Sequence, residues 1–229
     1  MKSMKNLTAG LVLAVGMVGG GTSALAQEQE DLMASTTAQW WQYAISIPTS
    51  VNPLVDQTGA NCMVGQRDPM WFLAGTFFGG MATRTCSVPA GETLFFPVIN
   101  SVQINTPGVC GQTGSLDVPA LRALAAPLID GATNMSVKVD GKPVKSLMRI
   151  KSDVFATTVP ADNIFNAPCG GPGTVPAGVY SPSVDDGYYA LLKPLSVGNH
   201  TLHIHAEVPS QSLVFDVTYD LVVTPVELK

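Results

Sequence analysis

The sequence predicts a mainly antiparallel β-sandwich of roughly eight strands, with a helix at its N-terminus and a second short helix in a crossover. Glycine (22) and proline (17) are abundant and only 13% of residues are charged, which is typical of a turn-rich β protein. Short apolar or alternating segments follow one another from residue 71 onward, with turn residues between them. Two other segments have helical spacing instead.

The chain begins with the pattern of an export signal, residues 1–26. Lys2 and Lys5 give a basic start, an apolar run follows, and small residues form a cleavage motif that ends at Ala26. A membrane anchor is the alternative, but glycines interrupt the apolar run, and a spanning helix needs about 20 apolar residues. We therefore expect a secreted or periplasmic mature chain, residues 27–229, that forms a single β-sandwich domain without a transmembrane segment.

The first element of the mature chain is a predicted helix over about 28–46, which Pro48 ends. A loop over 48–66 precedes the strands. We predict strands at 71–78, 83–88, 93–99, 135–139, 143–147, 152–159, 188–192, 200–207 and 213–224.

Three of these elements have distinctive features. The segment 93–99 is apolar on both faces, which is typical of a central strand, and Pro97 indicates an edge position or a bulge near its end. The second helix, 117–130, has Asp117 available as its N-cap, and Pro127 should kink or end it. In the last strand, 213–224, every second residue is apolar and should face the core.

The four cysteines, Cys62, Cys86, Cys110 and Cys169, all lie in the mature chain. An exported chain meets an oxidising compartment, so we expect two disulfides. Three pairings are possible, and the sequential one, Cys62–Cys86 with Cys110–Cys169, requires the least crossing. A zinc site is the alternative, although the spacings do not resemble those of zinc ligands.

Two of the three histidines alternate along a predicted strand. His203 and His205 should share one face with Glu207, where imidazole and carboxylate groups could bind zinc or copper. General acid–base use is a second possibility. The competing interpretation is the polar, solvent-facing side of a strand.

Aromatic residues supply a second set of candidate site residues. Trp40 and Trp41 lie in the first helix, and Tyr188 and Tyr189 begin a predicted strand, where one of the two rings should face outward. Exposed aromatic rings bind ligands at low entropy cost, so these four residues are candidates for ligand contact. Core packing is the alternative for aromatic residues at helical spacing.

The acidic pair before Tyr188 has a structural interpretation. Asp185-Asp186-Gly187 is typical of a turn that enters the following strand. Calcium binding is the alternative, but one acidic pair supplies too few of the six to eight oxygens that calcium takes.

Charge and motifs limit the classes of function. The chain carries 12 Lys and Arg against 17 Asp and Glu, and loss of the signal lysines makes it more acidic still, which argues against nucleic acid as a partner. No nucleophile elbow, zinc-protease motif or phosphate loop occurs. We therefore expect an exported, non-catalytic protein without a cofactor that binds an envelope or extracellular ligand. The alternative is a metal-dependent enzyme or metal carrier that uses the His-x-His motif with zinc or copper.

Five short segments, WFLAG (71–75), CSVPAG (86–91), FFPVIN (95–100), DGYY (186–189) and GNHTL (198–202), carry a resemblance. Together they resemble a group of uncharacterised secreted bacterial proteins, over most of the mature chain. The resemblance implies export and a single β-rich domain, and no activity. In that group the histidine that corresponds to His200 is more typical than the His203/His205 pair, which counts against the pair as a general metal site.

Overall fold

The structure is a computed structural model that describes residues 21–67 and 70–226. Most of the predicted export signal, residues 1–20, lies outside the described residues. Within the described ranges, no helix combines the length and the apolar character that a membrane span needs.

The described residues form two α-helices, ten strands and two short 3₁₀ helices, Thr49–Val51 and Pro209–Gln211. The α-helices are α1 (Gly21–Ser46) and α2 (Val118–Asp130). The strands are β1 (Met70–Phe72), β2 (Gly80–Pro89), β3 (Thr93–Ile104), β4 (Thr133–Val139), β5 (Lys142–Pro143), β6 (Leu147–Lys151), β7 (Phe155–Val159), β8 (Gly178–Leu192), β9 (Gly198–Val208) and β10 (Leu213–Thr224).

The strands form two sheets, which confirms a mainly β, sandwich-like fold. The first sheet has the order β1-β3-β8-β6, with β7 also paired to β8, and the second has the order β2-β10-β9-β4-β5. The prediction that the sheets are antiparallel is wrong for two pairs, because β1 runs parallel to β3 and β2 runs parallel to β10. Both parallel pairs join strands that are not consecutive in the chain, so no hairpin turn in the sequence fixes their relative direction.

The first sheet is the middle layer of the molecule. One apolar cluster lies between the two sheets and contains Phe96, and a second lies between the first sheet and α1 and contains Phe95. These neighbouring residues of β3 point to opposite faces, as predicted for a strand that is apolar on both sides. The predicted bulge is present as well, since the register with β8 shifts between Pro97 and Ile99.

Helix α1 covers the outer face of the first sheet. Its described part runs from Gly21, so the helix includes residues before 28, and it ends at Ser46, before Pro48. Trp40 and Trp41 are buried in its contact with the sheet. Asn52 completes the end of the helix, because its side-chain amide donates to the carbonyl of Ala44 at 2.7 Å.

Helix α2 begins as the sequence predicts. The carboxylate of Asp117 accepts a hydrogen bond from the amide of Ala120 at 2.9 Å. The helix then continues through Pro127 to Asp130, so the prediction that Pro127 could end it is wrong. Its buried face consists of Leu121, Ala125 and Ile129.

The turn predicted at residues 185–187 is absent, because these residues lie within β8. This strand already begins at Gly178. Asp185 and Asp186 are both buried, and each has polar partners there. Turn composition predicts a turn at such a segment, but the partners that allow two acids inside a sheet come from distant parts of the chain.

The disulfides follow the sequential pairing. Cys62 is bonded to Cys86, and Cys110 is bonded to Cys169. The first ties the loop after α1 to β2, and the second joins two long loops at one end of the sandwich. Disulfides of this kind form in oxidising compartments.

Candidate functional site

A cavity of about 490 Å³ lies beside β3, where the two sheets separate. Its volume is within the range of small-molecule sites. Its walls come from α1, the loop after β1, β3, α2, the two disulfide-linked loops, β9 and β10. They include Trp41, Leu54, Gly75, Thr76, Phe77, Phe78, the segment 97–103, Cys110, Leu124, Leu128, Phe165, Cys169, Ile204, Gln211, Leu213, Phe215 and Val217.

The cavity exists because β3 loses one of its neighbours. Strand β1 pairs with β3 only from Thr93 to Phe95, whereas β8 pairs with the opposite edge as far as Ile104. Every residue from Pro97 to Gln103 lines the cavity, so this stretch presents its free edge as well as its side chains. Backbone groups on such an edge need hydrogen-bond partners from outside the sheet.

Three phenylalanines form an apolar wall opposite this edge. The ring of Phe77 lies 4.2 Å from that of Phe78 and 5.8 Å from that of Phe165, measured between centroids. Phe78 is 64% exposed and has a φ of 66°, a conformation that bulky residues rarely adopt. Phe165 and Cys169 lie on the same loop, which the Cys110–Cys169 disulfide joins to the loop after β3; Phe77 and Phe78 lie on the loop after β1.

Neutral polar groups complete the cavity. The side-chain amide of Asn100 donates to the hydroxyl of Tyr189 at 3.0 Å, which leaves the Asn100 carbonyl oxygen for another partner. The hydroxyl of Thr76 is buried without a hydrogen-bond partner among the described residues. Buried hydroxyls of this kind generally have a partner, so Thr76 is a candidate ligand contact.

A second cavity, of about 460 Å³, adjoins the first. Both cavities are lined by Val102, Gln103, Cys110, Leu124, Phe165 and Cys169. The two spaces are therefore neighbours, and the Cys110–Cys169 disulfide lies in the wall that they share.

A buried carboxyl group lies behind the first cavity. Asp185 accepts hydrogen bonds from the indole of Trp41 at 2.7 Å and from the hydroxyl of Tyr189 at 2.8 Å. Burial raises the pKa of Asp185 to about 8, and the hydrogen bonds from Trp41 and Tyr189 offset only part of that effect. Since Trp41 and Asn100 also line the cavity, one chain of hydrogen bonds connects the cavity wall to this carboxyl group.

The neighbouring acid has a different role. Asp186 accepts two hydrogen bonds from the guanidinium of Arg149, at 3.0 and 2.9 Å, and Arg149 also contacts Asp130 at 2.7 Å. Arg122 donates to the backbone carbonyls of Asp185 and Ser152. These contacts fix α2 and β6 against β8, and they neutralise Asp186 rather than Asp185.

Arg84 is a second buried charge near the cavity. It is 1% exposed, and its guanidinium donates to the carbonyls of Asp56, Ala74 and Gly75 and to the hydroxyl of Tyr219, at 2.7 to 3.0 Å. Arg84 therefore holds the backbone of the loop after β1 at Ala74 and Gly75, directly before the cavity-lining residues 76–78.

The predicted ligand residues are placed differently from one another. Trp41 lines the cavity, but Trp40 is fully buried and donates to the carbonyl of Leu73 at 3.0 Å. Tyr189 is buried against Phe95 with parallel rings, and Tyr188 is half-buried on the opposite face of β8. Neither tyrosine ring is fully exposed, because the first sheet is covered on both faces.

The predicted metal residues lie on the outer face of the second sheet, away from the cavity. His203 and His205 both contact the carboxylate of Asp216, at 3.1 and 2.8 Å, and His205 also contacts Glu207 at 3.0 Å. Burial alone would lower the pKa of His205, but its hydrogen bonds to Glu207 and Asp216 outweigh this and raise it. Within the described residues, no three His, Cys, Asp or Glu side chains are placed to hold a metal ion.

Comparisons with known proteins do not connect the chain to a function. No protein-family model and no curated protein matches it. Among solved structures, a weak match is the solution structure of amebosin, with 12% identity over 62% of this chain and 95% of that one. The TM-score of that match is 0.16.

Proposed function

We propose that this protein is an exported, non-catalytic binding protein whose ligand occupies the cavity beside β3. The observation that carries the proposal is the free edge of β3 between Pro97 and Gln103, which lies in an apolar cavity of about 490 Å³. Large apolar cavities with a few polar groups are the usual form of small-molecule sites. The two disulfides support export, since they form in oxidising compartments.

The construction of the site supports binding rather than catalysis. The buried Asp185 is engaged by Trp41 and Tyr189, and the wall contributes apolar rings and neutral amides. Such a surface excludes water and orients a ligand through few polar contacts. The Cys110–Cys169 disulfide joins two of the loops that line the cavity, and a cross-link between such loops lowers the entropic cost of ordering them around a ligand.

A titration with a neutral fluorescent probe, N-phenylnaphthylamine, tests the proposal. Its emission rises in apolar surroundings, so we expect a saturable increase with the mature, oxidised protein. Gly75→Leu should weaken binding at least about tenfold, because Gly75 lines the cavity and a Cβ there meets no atom within 4 Å. The Cβ of the new side chain can therefore be placed without displacing its neighbours.

Gly114→Leu is the matched control. Gly114 also has open space around a new Cβ and lines neither cavity, so this variant should bind like the wild type. Circular dichroism establishes that both variants are folded. Failure of the probe to saturate, or equal binding by the two variants, would overturn the proposal.

Metal binding by His203, His205 and Glu207 stays a prediction. One observation favours it, namely that Asp216 joins the two histidines and supplies another carboxylate. Elemental analysis of the purified protein, repeated on His203→Ala/His205→Ala, tests it. Stoichiometric zinc or copper that disappears in the variant would support a metal carrier or metal-dependent enzyme, and a metal-free protein would refute it.

A further inference from the structure

The chemistry of the cavity walls limits the charge of the ligand. Every described residue that lines either cavity is apolar or carries a neutral amide or hydroxyl group. Transfer of an ionised group from water into such surroundings is very unfavourable unless an opposite charge meets it. These walls therefore complement a neutral molecule.

Hydrogen-bonding groups are nevertheless present along one side. The backbone edge of the segment 97–103 faces the cavity, and the side chains of Ser101 and Gln103 lie on it. The amide of Gln103 can both donate and accept, and it lines both cavities. A neutral amide or hydroxyl of a ligand fits this edge because such groups also donate and accept.

Arg84 is a buried positive charge near the cavity, and it would favour an anionic ligand if it acted across the wall. Its guanidinium lies on the backbone of Ala74 and Gly75 and donates to their carbonyls at 2.7 and 3.0 Å. Those contacts, with the carbonyl of Asp56 and the hydroxyl of Tyr219, occupy all three of its nitrogens. Arg84 is thus committed to the protein backbone rather than to an anion in the cavity.

We infer that the site takes an elongated, uncharged molecule that has an apolar body and an amide or hydroxyl group, and that it rejects charged molecules of the same shape. The inference rests on the proposed function, since it concerns the same cavity. The elongated shape is inferred from the second cavity, which shares Leu124 and the Cys110–Cys169 disulfide with the first and so offers space for a ligand longer than one cavity.

Three molecules with the same chain length test the charge requirement: decanamide, decanoate and decylammonium. Each is used at pH 7 to displace bound N-phenylnaphthylamine from the mature protein. Decanamide and decanoate differ mainly in charge, so we expect decanamide to bind at least about tenfold more tightly than either ion. Equal or tighter binding of decanoate would overturn the inference and indicate that Arg84 attracts anions.

Substitutions at Gln103 provide the converse test. Gln103→Lys should raise the affinity for decanoate about tenfold, and Gln103→Glu should do the same for decylammonium, because each supplies a charge-assisted hydrogen bond. Gln103→Met is the neutral control and should improve neither. If neither charged variant gains affinity for its ion, Gln103 does not contact the ligand and the inferred placement is wrong.

The possible failures are distinguishable from one another. Absence of saturable probe binding refutes the proposed function itself. If the probe binds but decanamide, decanoate and decylammonium displace it equally well, only the inference about ligand charge is refuted. Displacement by a capped neutral hexapeptide, but not by decanamide, would place a peptide strand on the edge of β3 and also refute it.

Discussion

Replacement of Asp185 by asparagine should remove a pH dependence of stability that originates in this one carboxyl group. Asp185 is fully buried, and its pKa is raised from 3.8 to about 8. Between these values the folded protein holds a proton that the unfolded chain has released. The free energy of unfolding therefore falls as pH rises from about 4 to about 8.

The size of the effect follows from the raised pKa. Each pH unit within that range removes about 1.4 kcal/mol, so the wild type should lose about 3 kcal/mol from Asp185 between pH 5 and pH 7. Asparagine resembles the protonated acid in shape: its carbonyl can accept from the indole of Trp41, and its NH2 group can donate to the hydroxyl oxygen of Tyr189, as the hydroxyl of the protonated acid would. Asp185→Asn should thus match the wild type only near pH 4, and its advantage in stability should grow by about 3 kcal/mol between pH 5 and pH 7.

Urea unfolding at pH 5, 6 and 7, followed by circular dichroism and tryptophan fluorescence, measures this difference. His200 and His205 also have raised pKa values and make stability fall with pH, but their contribution cancels in the difference between the two proteins. Asp186→Asn is a control that should be destabilised at every pH, because it breaks the pair with Arg149. A difference that is constant with pH, or that reverses in sign, would show that Asp185 is ionised in the folded protein.

Three further predictions follow from other contacts. Arg84→Met should lower the free energy of unfolding by about 3 kcal/mol in urea, because several buried carbonyl groups lose their donor; an unchanged value would contradict the role of Arg84. Cys110→Ala/Cys169→Ala should weaken probe binding and cost up to about 4 kcal/mol of stability, since the bond closes 59 residues; wild-type affinity in a folded variant would separate this disulfide from the site. His205→Gln should lower the melting temperature relative to the wild type at pH 5 but not at pH 9. The reason is that protonated His205 stabilises the fold below its ordinary pKa, and this stabilisation is lost above its raised pKa. An equal loss at both pH values would show that the charge of His205 does not stabilise the fold.

Local patterns in the sequence predict much of the secondary structure. The N-cap at Asp117, the end of the first helix before Pro48 and the bulge near Pro97 each depend on a few neighbouring residues, and each is present in the structure. The alternation along β10 also holds, since Val217, Tyr219 and their equivalents face the core. Such features follow from backbone chemistry that acts over a few residues.

Local sequence patterns could not predict the candidate site, because the residues that form it are distant from one another in the sequence. The edge of β3 is free because β1 pairs with it only as far as Phe95, and no short sequence pattern indicates where such pairing ends. Asp185 had the signature of a turn, although its partner Trp41 lies 144 residues away. A usable signal was nevertheless present, because the apolar segment 93–99 continues into the polar residues Asn100, Ser101 and Gln103. A central strand that changes to amides and hydroxyls along its length is a place to look for a ligand.

An amide-resolved NMR titration with decanamide shows whether the ligand lies along the free edge of β3. We expect saturable shifts concentrated at Gly75, Ser101 and Gln103, with little change at His203 and His205 on the outer face of the second sheet. The absence of saturable shifts, or shifts confined to that outer face, would contradict this placement of the ligand.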